Sequence, residues 1–218
     1  MDLLCCVLRK MQGSSSRRIA RLIGNLVVCP KYLPGYLQTN LLSKQPLDLE
    51  LAWFSYTAID FLKSFLQSQM SVFEYGSGGS TLFFAKRVRT VISTEDNATW
   101  LENVRRRLTE LSLKNVTLQH HEFDCKNSEG FENSAYLHSI PPQKFDVIVV
   151  DGTEEAVPVR PICFYHAENF INPGGIIVVD DSWRYPELRR INRATDHRIF
   201  KSVGPCRPGV TSTDIFFY

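Results

Sequence analysis

The 218-residue sequence predicts an α/β protein: a doubly wound, mainly parallel seven-stranded sheet with helices on both faces and a C-terminal antiparallel hairpin. Two segments, 145–150 and 176–179, are almost continuously apolar, as is typical of parallel strands that are covered on both faces. Segments with helical periodicity alternate with the strand-like runs, and parallel strands require such crossover helices. The tail contains two more strand-like runs joined through glycine–proline pairs, which favours a closing hairpin.

The elements follow one another in a regular order. Apolar residues over 58–66 recur at helical spacing, so a helix is expected before the first strand. Asp96 or Asn97 can cap the helix after the second strand, and 172–175 is expected to form a turn. The predicted strands are 71–75, 90–94, 115–123, 145–150, 176–179, 198–203 and 213–217, with helices near 82–88, 101–111 and 158–170.

The first fifty residues differ in character from the rest. We predict an N-terminal helical extension over 1–50 and a main domain over 51–218. Apolar residues between 19 and 27 follow helical spacing and have arginines between them. Ordinary packing against the domain is one interpretation of this extension, and a cap over the substrate pocket or a homodimer contact is the alternative.

Composition and charge argue against several classes of protein. The net charge of +2 is too small for a nucleic-acid footprint, so no nucleic-acid partner is expected. No segment approaches the roughly 20 apolar residues that span a bilayer, and the apolar start over 2–10 is too short for a signal peptide. The six cysteines lack metal-type spacing, which is typical of a reducing compartment. We therefore predict a cytoplasmic protein without a membrane span.

The most informative motif is the run from Val72 to Thr81, which predicts a buried strand, a glycine turn and a helix. Gly76 and Gly78 can take backbone angles closed to other residues and let a ligand approach the main chain closely. Open α/β sheets bind ligands at the carboxyl ends of their strands. Glu74 would repel a pyrophosphate beside this turn, but it suits a ligand with a cationic end.

Acidic residues close each of the predicted parallel strands. One acid at a strand end is commonplace and often caps a helix, but five such ends converging on one edge of a sheet indicate a binding site. These acids are Glu74, Glu95, Asp124, Asp151 and the pair Asp180 and Asp181.

The order of these motifs resembles class I S-adenosylmethionine-dependent methyltransferases. The resemblance covers about 53–218 and includes the glycine turn, the acid after strand two, Asp151-Gly152 and the acidic pair. It implies S-adenosylmethionine as cofactor, with Glu74 near its ammonium group, Glu95 on both ribose hydroxyls and Asp124 near the adenine amino group. The cofactor-binding residues expected from it are Glu74, Gly76, Ser77, Gly78, Ser80, Thr81, Glu95, Asp124 and Asp151.

A nicotinamide-dependent oxidoreductase is a rival interpretation, since it also combines a glycine turn with a ribose-binding acid. That class prefers a third glycine at the start of the helix, where this chain has Leu82 and Phe83. It also has no use for an acidic pair after the fifth strand. The methyltransferase interpretation is therefore favoured.

The acids after strands four and five resemble the cation-dependent O-methyltransferases of the catechol and caffeoyl-CoA type. That resemblance implies Asp151, Asp180 and Asp181 as ligands of Mg²⁺ or another divalent cation, with Asp151 and Asp180 catalytic. Two departures stand against it: Asp181 replaces an asparagine, and Glu154 replaces a lysine. In the alternative, Asp151 binds the methionine end and the pair organises a turn.

The sequence therefore predicts an enzyme that methylates a hydroxyl oxygen of a small-molecule or glycan-like acceptor. Nitrogen methyltransferases of this fold often carry an Asn-Pro-Pro-Tyr type signature after strand four, where this chain has 151–154. The second hypothesis is a catalytically silent domain that binds the cofactor or a protein partner. The presence of all the acids and glycines argues against it.

Overall fold

A computed structural model describes residues 16–41, 44–124, 128–153, 158–205 and 207–218. The first fifteen residues of the predicted extension and the lysine-replacing Glu154 lie outside the described residues. The helices are α1 Ser16–Val28, α2 Leu33–Leu41, α3 Pro46–Leu49, α4 Tyr56–Phe65, α5 Gly79–Ala85, α6 Ala98–Glu110, α7 Ser128–Glu132 and α8 Val159–Ala167. The strands are β1 Ser71–Tyr75, β2 Thr90–Glu95, β3 Val116–His120, β4 Phe145–Val150, β5 Ile171–Val179, β6 Asp196–Val203 and β7 Val210–Phe217.

The seven strands form one sheet in the order β3-β2-β1-β4-β5-β7-β6. Strands β1 to β5 are parallel, whereas β7 runs antiparallel to both β5 and β6. The predicted fold class is therefore confirmed, including the C-terminal hairpin. Because β1, β2, β4 and β5 run in the same direction, the loops that follow them meet at one edge, which we call the carboxyl edge.

The sheet is covered on both faces, which explains the continuous apolar runs. Alternate residues of β4 enter different clusters: Val147 and Val149 pack in one, and Ile148 and Val150 pack in the other. All four side chains are buried. Burial of apolar surface on both faces is the main force that holds such a sheet together.

Several element boundaries differ from the prediction; for example, β3 ends at His120 rather than at residue 123, and β7 begins at Val210 rather than at residue 213. Helix α5 begins at Gly79 rather than near residue 82, because the glycine turn leads directly into its first turn. The predicted turn 172–175 lies within β5, where Phe145 pairs with Ile171 and the register then shifts. Gly174 has a φ of +81° in this irregular part, which accounts for the turn-like sequence.

The N-terminal segment packs on the same core as the sheet. Leu22 of α1 is buried, and the Asn25 side chain accepts a hydrogen bond of 3.0 Å from the Val203 amide in β6. Tyr32 and Tyr36 extend the apolar cluster beneath it. The division of the chain at residue 50 stays a prediction. Among the described helices, none is both long and apolar enough to cross a bilayer.

Candidate active site

The glycine turn after β1 requires its first glycine. Gly76 has a φ of +91°, and a Cβ atom there would lie 2.4 Å from the carbonyl oxygen of Asp151. The turn is closed by a 3.0 Å hydrogen bond that the Gly78 amide donates to the Thr81 hydroxyl. This close packing against the end of β4 brings the loops after β1 and β4 together.

A cavity of about 430 Å³ opens at the carboxyl edge beside this turn. Its size falls within the range of about 300–1,000 Å³ that is usual for small-molecule sites. One wall is the glycine turn, and segments after β2, β4 and the N-terminal region complete it. The lining residues are Gln45, Pro46, Trp53, Gly76, Ser77, Gly78, Gly79, Ser80, Glu95, Asn97, Trp100, Asp151, Gly152, Thr153, Arg160 and Arg207.

Glu95, the last residue of β2, joins the second strand to the glycine turn. Its Oε2 accepts two hydrogen bonds of 2.9 Å, one from the Ser77 amide and one from the Ser77 hydroxyl. Its Oε1 accepts a hydrogen bond of 3.1 Å from the Asn97 amide. Burial raises the pKa of this carboxyl, although the hydrogen bonds from Ser77 and Asn97 oppose the shift.

Two cavity-lining residues at the start of helix α6, the cap Asn97 and Trp100, were not expected from the sequence as site residues. Asn97 accepts a hydrogen bond from the Trp100 amide, which confirms it as the cap of this helix. The Trp100 indole donates a 2.8 Å hydrogen bond to the Ser77 carbonyl oxygen and lines the cavity. Trp100 therefore fixes the turn from the side opposite Asp151.

Glu74 lies beneath the glycine turn and is fully buried. Among the described residues, neither carboxylate oxygen has a hydrogen-bond partner of good geometry. Burial raises its pKa to about 7, and the nearby hydroxyls of Thr81, Ser80 and Ser93 oppose the shift. Glu74 does not line the cavity, so its contact with an ammonium group stays a prediction.

Several other buried polar atoms near the carboxyl edge lack a partner within the described part of the chain. They include the Thr94 hydroxyl and the Tyr136 hydroxyl, which lies 2.4 Å from where a Cβ at Gly152 would be placed. Buried polar groups in folded proteins are nearly always hydrogen-bonded, so such a concentration indicates a site completed by a ligand or by water. This observation fits a polar cofactor at this edge.

Three carboxylates follow β4 and β5, and arginines pair with two of them closely. Arg160 Nη2 lies 3.1 Å from Asp151 Oδ1, and Arg207 Nη2 lies 2.6 Å from Asp181 Oδ2. Burial raises the pKa of Asp151. Burial also raises the pKa of Asp180, and the neighbouring carboxylates add to the shift. The pKa of Asp181 is lowered because Arg207 and Arg160 outweigh its burial.

The residues expected to hold a divalent cation do not fit that role. In the described ranges, no group of three or more His, Cys, Asp and Glu side chains is arranged to hold a metal ion. Asp180 is fully buried and accepts a 2.8 Å hydrogen bond from Thr213, and Asp181 accepts one of 3.1 Å from Thr211. Asp181 and Asp180 Oδ1 are thus committed to protein donors, whereas Asp180 Oδ2 has no hydrogen-bond partner among the described residues and lies 3.7 Å from Arg207 Nη2.

Of the remaining predicted site residues, only some line the cavity. Ser80 lines the cavity, whereas Thr81 is buried behind it and holds the turn. Asp124 is exposed and does not line the cavity, and Asp180 is also absent from its wall. The roles of these residues toward adenine and in catalysis stay predictions.

Arg160, Arg207 and Trp53 also line the cavity, although the sequence did not predict them as site residues. The sequence contains one indication that Arg160 belongs to the site: it is a lone basic residue at the start of an apolar helix, and that helix follows an acidic strand end. Arg207 and Trp53 had none, because their approach depends on the hairpin register and on the path of the N-terminal segment.

The sheet order, the glycine turn and the buried acid after β2 are those of a class I S-adenosylmethionine-dependent methyltransferase. A family model described as a methyltransferase domain matches residues 66–203, more than half of the 218 residues, and the chain belongs to that family. No curated protein matches the sequence.

Solved structures share the fold at low sequence identity. The cofactor-bound Rv0187 from MTB is 18% identical with a TM-score of 0.59, and the match covers 85% of this chain and 95% of that one. An rRNA methylase from Streptococcus thermophilus is 16% identical with a TM-score of 0.54, covering 80% and 97%. SMU.1697c from Streptococcus mutans, in complex with SAH, is 13% identical with a TM-score of 0.53, covering 80% and 99%.

Proposed function

We propose that the protein transfers the methyl group of S-adenosylmethionine to the oxygen of a hydroxyl group on a small-molecule or glycan-like acceptor. The observation that carries this proposal is the shared cavity. Glu95, held by the glycine turn, and Asp151, held by Arg160, line the same space of about 430 Å³. A proposed cofactor-binding acid and a proposed proton acceptor thus line one cavity.

Glu95 and the glycine turn are the proposed cofactor site. A carboxylate has about four lone-pair sites, and Glu95 uses three of them for Ser77 and Asn97. Rotation of the Ser77 hydroxyl would free a second site, so both ribose hydroxyls could then donate to Glu95. Trp100 adds an aromatic wall beside the turn. The fold neighbour in complex with SAH supports a cofactor of this kind.

Asp151 is the proposed proton acceptor, because it lines the cavity and Asp180 does not. Methyl transfer is an in-line displacement in which the carbon–sulfur bond breaks as the carbon–oxygen bond forms. The acceptor hydroxyl must lose its proton, and a carboxylate with a raised pKa is suited to take it. The sulfur keeps the electron pair of the broken bond, and the proton passes to Asp151.

The N-terminal segment is proposed to form part of the acceptor wall. Gln45, Pro46 and Trp53 line the cavity. A Cβ atom at Gly79 would lie 2.1 Å from the Leu51 carbonyl oxygen, so this segment touches the start of α5. A homodimer, a cytoplasmic location and the boundary at residue 50 remain predictions from the sequence.

Calorimetric titration with S-adenosylhomocysteine tests the cofactor assignment. We expect saturable binding at one site per chain, whereas a silent domain that binds only a protein partner would give no heat. Incubation with methyl-labelled S-adenosylmethionine and separate pools of hydroxylated small molecules, glycans and ribosomal RNA tests the acceptor. Label in the RNA alone would overturn the proposed acceptor class and leave the cofactor assignment intact.

A further inference from the structure

The acidic rim formed by Asp151, Asp180 and Asp181 contains as many guanidinium groups as carboxylates. Arg160 pairs with Asp151, and Arg207 lies 2.6 Å from Asp181 and 3.7 Å from Asp180. In addition, Arg184 Nη2 lies 3.5 Å from Asp181 Oδ2. The formal charge of the cluster is balanced by protein groups alone.

The fold explains why both lining arginines reach this rim. Strand β6 runs parallel to β5, so the turn between β6 and β7 lies at the carboxyl edge and brings Arg207 beside the acidic pair. Arg160 is the second residue of α8, which follows the β4 loop. A helix N-terminus disfavours a cation, so the Asp151 carboxylate is needed to hold Arg160 there.

The donors around Asp181 occupy the directions that a cation would need. Asp181 Oδ1 accepts from Thr211 at 3.1 Å and from the Trp183 indole at 3.3 Å, and its Oδ2 faces Arg207. Arg160 also donates to the Gly152 and Asp180 carbonyl oxygens, at 3.0 and 2.9 Å. Divalent cations such as Mg²⁺ require about six oxygen ligands in a compact shell.

We propose that Arg160 and Arg207 take the place of the divalent cation at this rim, so that the acceptor hydroxyl is bound by hydrogen bonds and not by chelation. This proposal rests on the function proposed above. Both guanidinium groups line the cavity, and the buried Nε of Arg207 has no hydrogen-bond partner within the described ranges. A chelating site would select acceptors with two adjacent oxygens, whereas this rim accepts a single hydroxyl. Arg160 acts as a positioning residue through Asp151, and Arg207 is the group available to the acceptor.

Manganese binding to the cofactor-free protein tests this inference without any acceptor. Electron paramagnetic resonance measures free Mn²⁺ directly during a titration. The wild type is expected to leave Mn²⁺ free up to about 1 mM, the weak end of the range of carboxylate sites. The Arg160→Met/Arg207→Met variant is expected to bind it at least about tenfold more tightly, because its carboxylates are left without their counter-ions. Arg105→Met/Arg106→Met, on the exposed face of α6, is the matched control and should behave as the wild type.

Two results would overturn the inference. One is tight Mn²⁺ binding by the wild type that Asp181→Asn abolishes, and the other is no gain of binding in the folded double variant. If the double variant lacks the wild-type circular dichroism spectrum, Mn²⁺ binding is compared between the wild type and the single Arg207→Met variant. The Arg207 side chain is one-third exposed, so its replacement should disturb the fold less. Titration with S-adenosylhomocysteine on the same samples reports separately on the proposed function.

Discussion

Ser77 donates two hydrogen bonds to a single oxygen of Glu95, one from its amide and one from its hydroxyl, each 2.9 Å long. This pair ties the glycine turn after β1 to the end of β2. It therefore preorganises the turn before any ligand binds. The same carboxylate is the group that we assign to the ribose, so cofactor binding and turn geometry depend on one side chain.

Glu95→Ala should weaken binding of S-adenosylhomocysteine by about 10- to 100-fold, because hydrogen bonds to a charged group contribute about 1.5–3 kcal/mol. Calorimetric titration gives the affinity directly. Glu102→Ala, on the exposed face of α6, is the control and should leave the affinity unchanged. An unchanged affinity in Glu95→Ala would show that the ribose contact is misplaced.

The strands and the cofactor side of the site could be predicted from the sequence for a local reason. Glu95 ends β2 and Asp151 directly follows β4, so the two acids are brought to one edge of the sheet by strand direction alone. The positions of Arg207 and Trp53 could not be predicted in this way. They depend on the turn of an antiparallel hairpin and on the path of the N-terminal segment, and neither leaves a periodic signal.

The acidic rim shows a second limit of sequence reasoning. Carboxylates at adjacent strand ends predict a cation, and the sequence cannot tell a metal ion from a guanidinium group. Arg160 lies nine residues after Asp151, and Arg207 lies much further along the chain from Asp181. Only the three-dimensional structure shows that their charges meet.

Trp100→Phe should lower the affinity for S-adenosylhomocysteine by about three- to tenfold. The change keeps an aromatic wall but removes the 2.8 Å hydrogen bond to the Ser77 carbonyl oxygen, and a neutral hydrogen bond contributes about 0.5–1.5 kcal/mol. Titration calorimetry measures the change. Trp183→Phe, at an exposed residue that does not line the cavity, should bind as the wild type does.

Gly76→Ala should destabilise the fold by more than about 2 kcal/mol. The residue has a positive φ, which costs other residues about 1–2 kcal/mol, and the new methyl group would collide with the Asp151 carbonyl oxygen. Gly24→Ala is the matched control, because a Cβ there meets nothing within 4 Å inside α1. It should raise the free energy of unfolding by about 0.5–1 kcal/mol. Urea unfolding measures the free energy of unfolding of both variants. Equal changes in the two would contradict this assignment of strain to Gly76.

Glu74→Gln should stabilise the cofactor-free protein at alkaline pH and leave it nearly unchanged at pH 4. Burial raises the pKa of Glu74 from 4.5 to about 7, so the folded state retains a proton that the unfolded state has released between these values. The wild type therefore loses stability as the pH rises through this window, and the total is about 3 kcal/mol at about 1.4 kcal/mol per pH unit. Glutamine has no charge to bury, so the difference between the two proteins should grow from pH 4.5 to 7 and then level off.

Urea unfolding across pH 4 to 8 measures that difference, with Glu102→Gln as an exposed control that should track the wild type. Saturating S-adenosylmethionine should narrow the gap at pH 8, because an ammonium group near Glu74 would offset the buried negative charge. If the ligand leaves the difference in unfolding free energy unchanged, Glu74 does not contact the ammonium group and only supports the glycine turn. A difference that does not vary with pH would instead show that folding leaves the pKa of Glu74 unchanged.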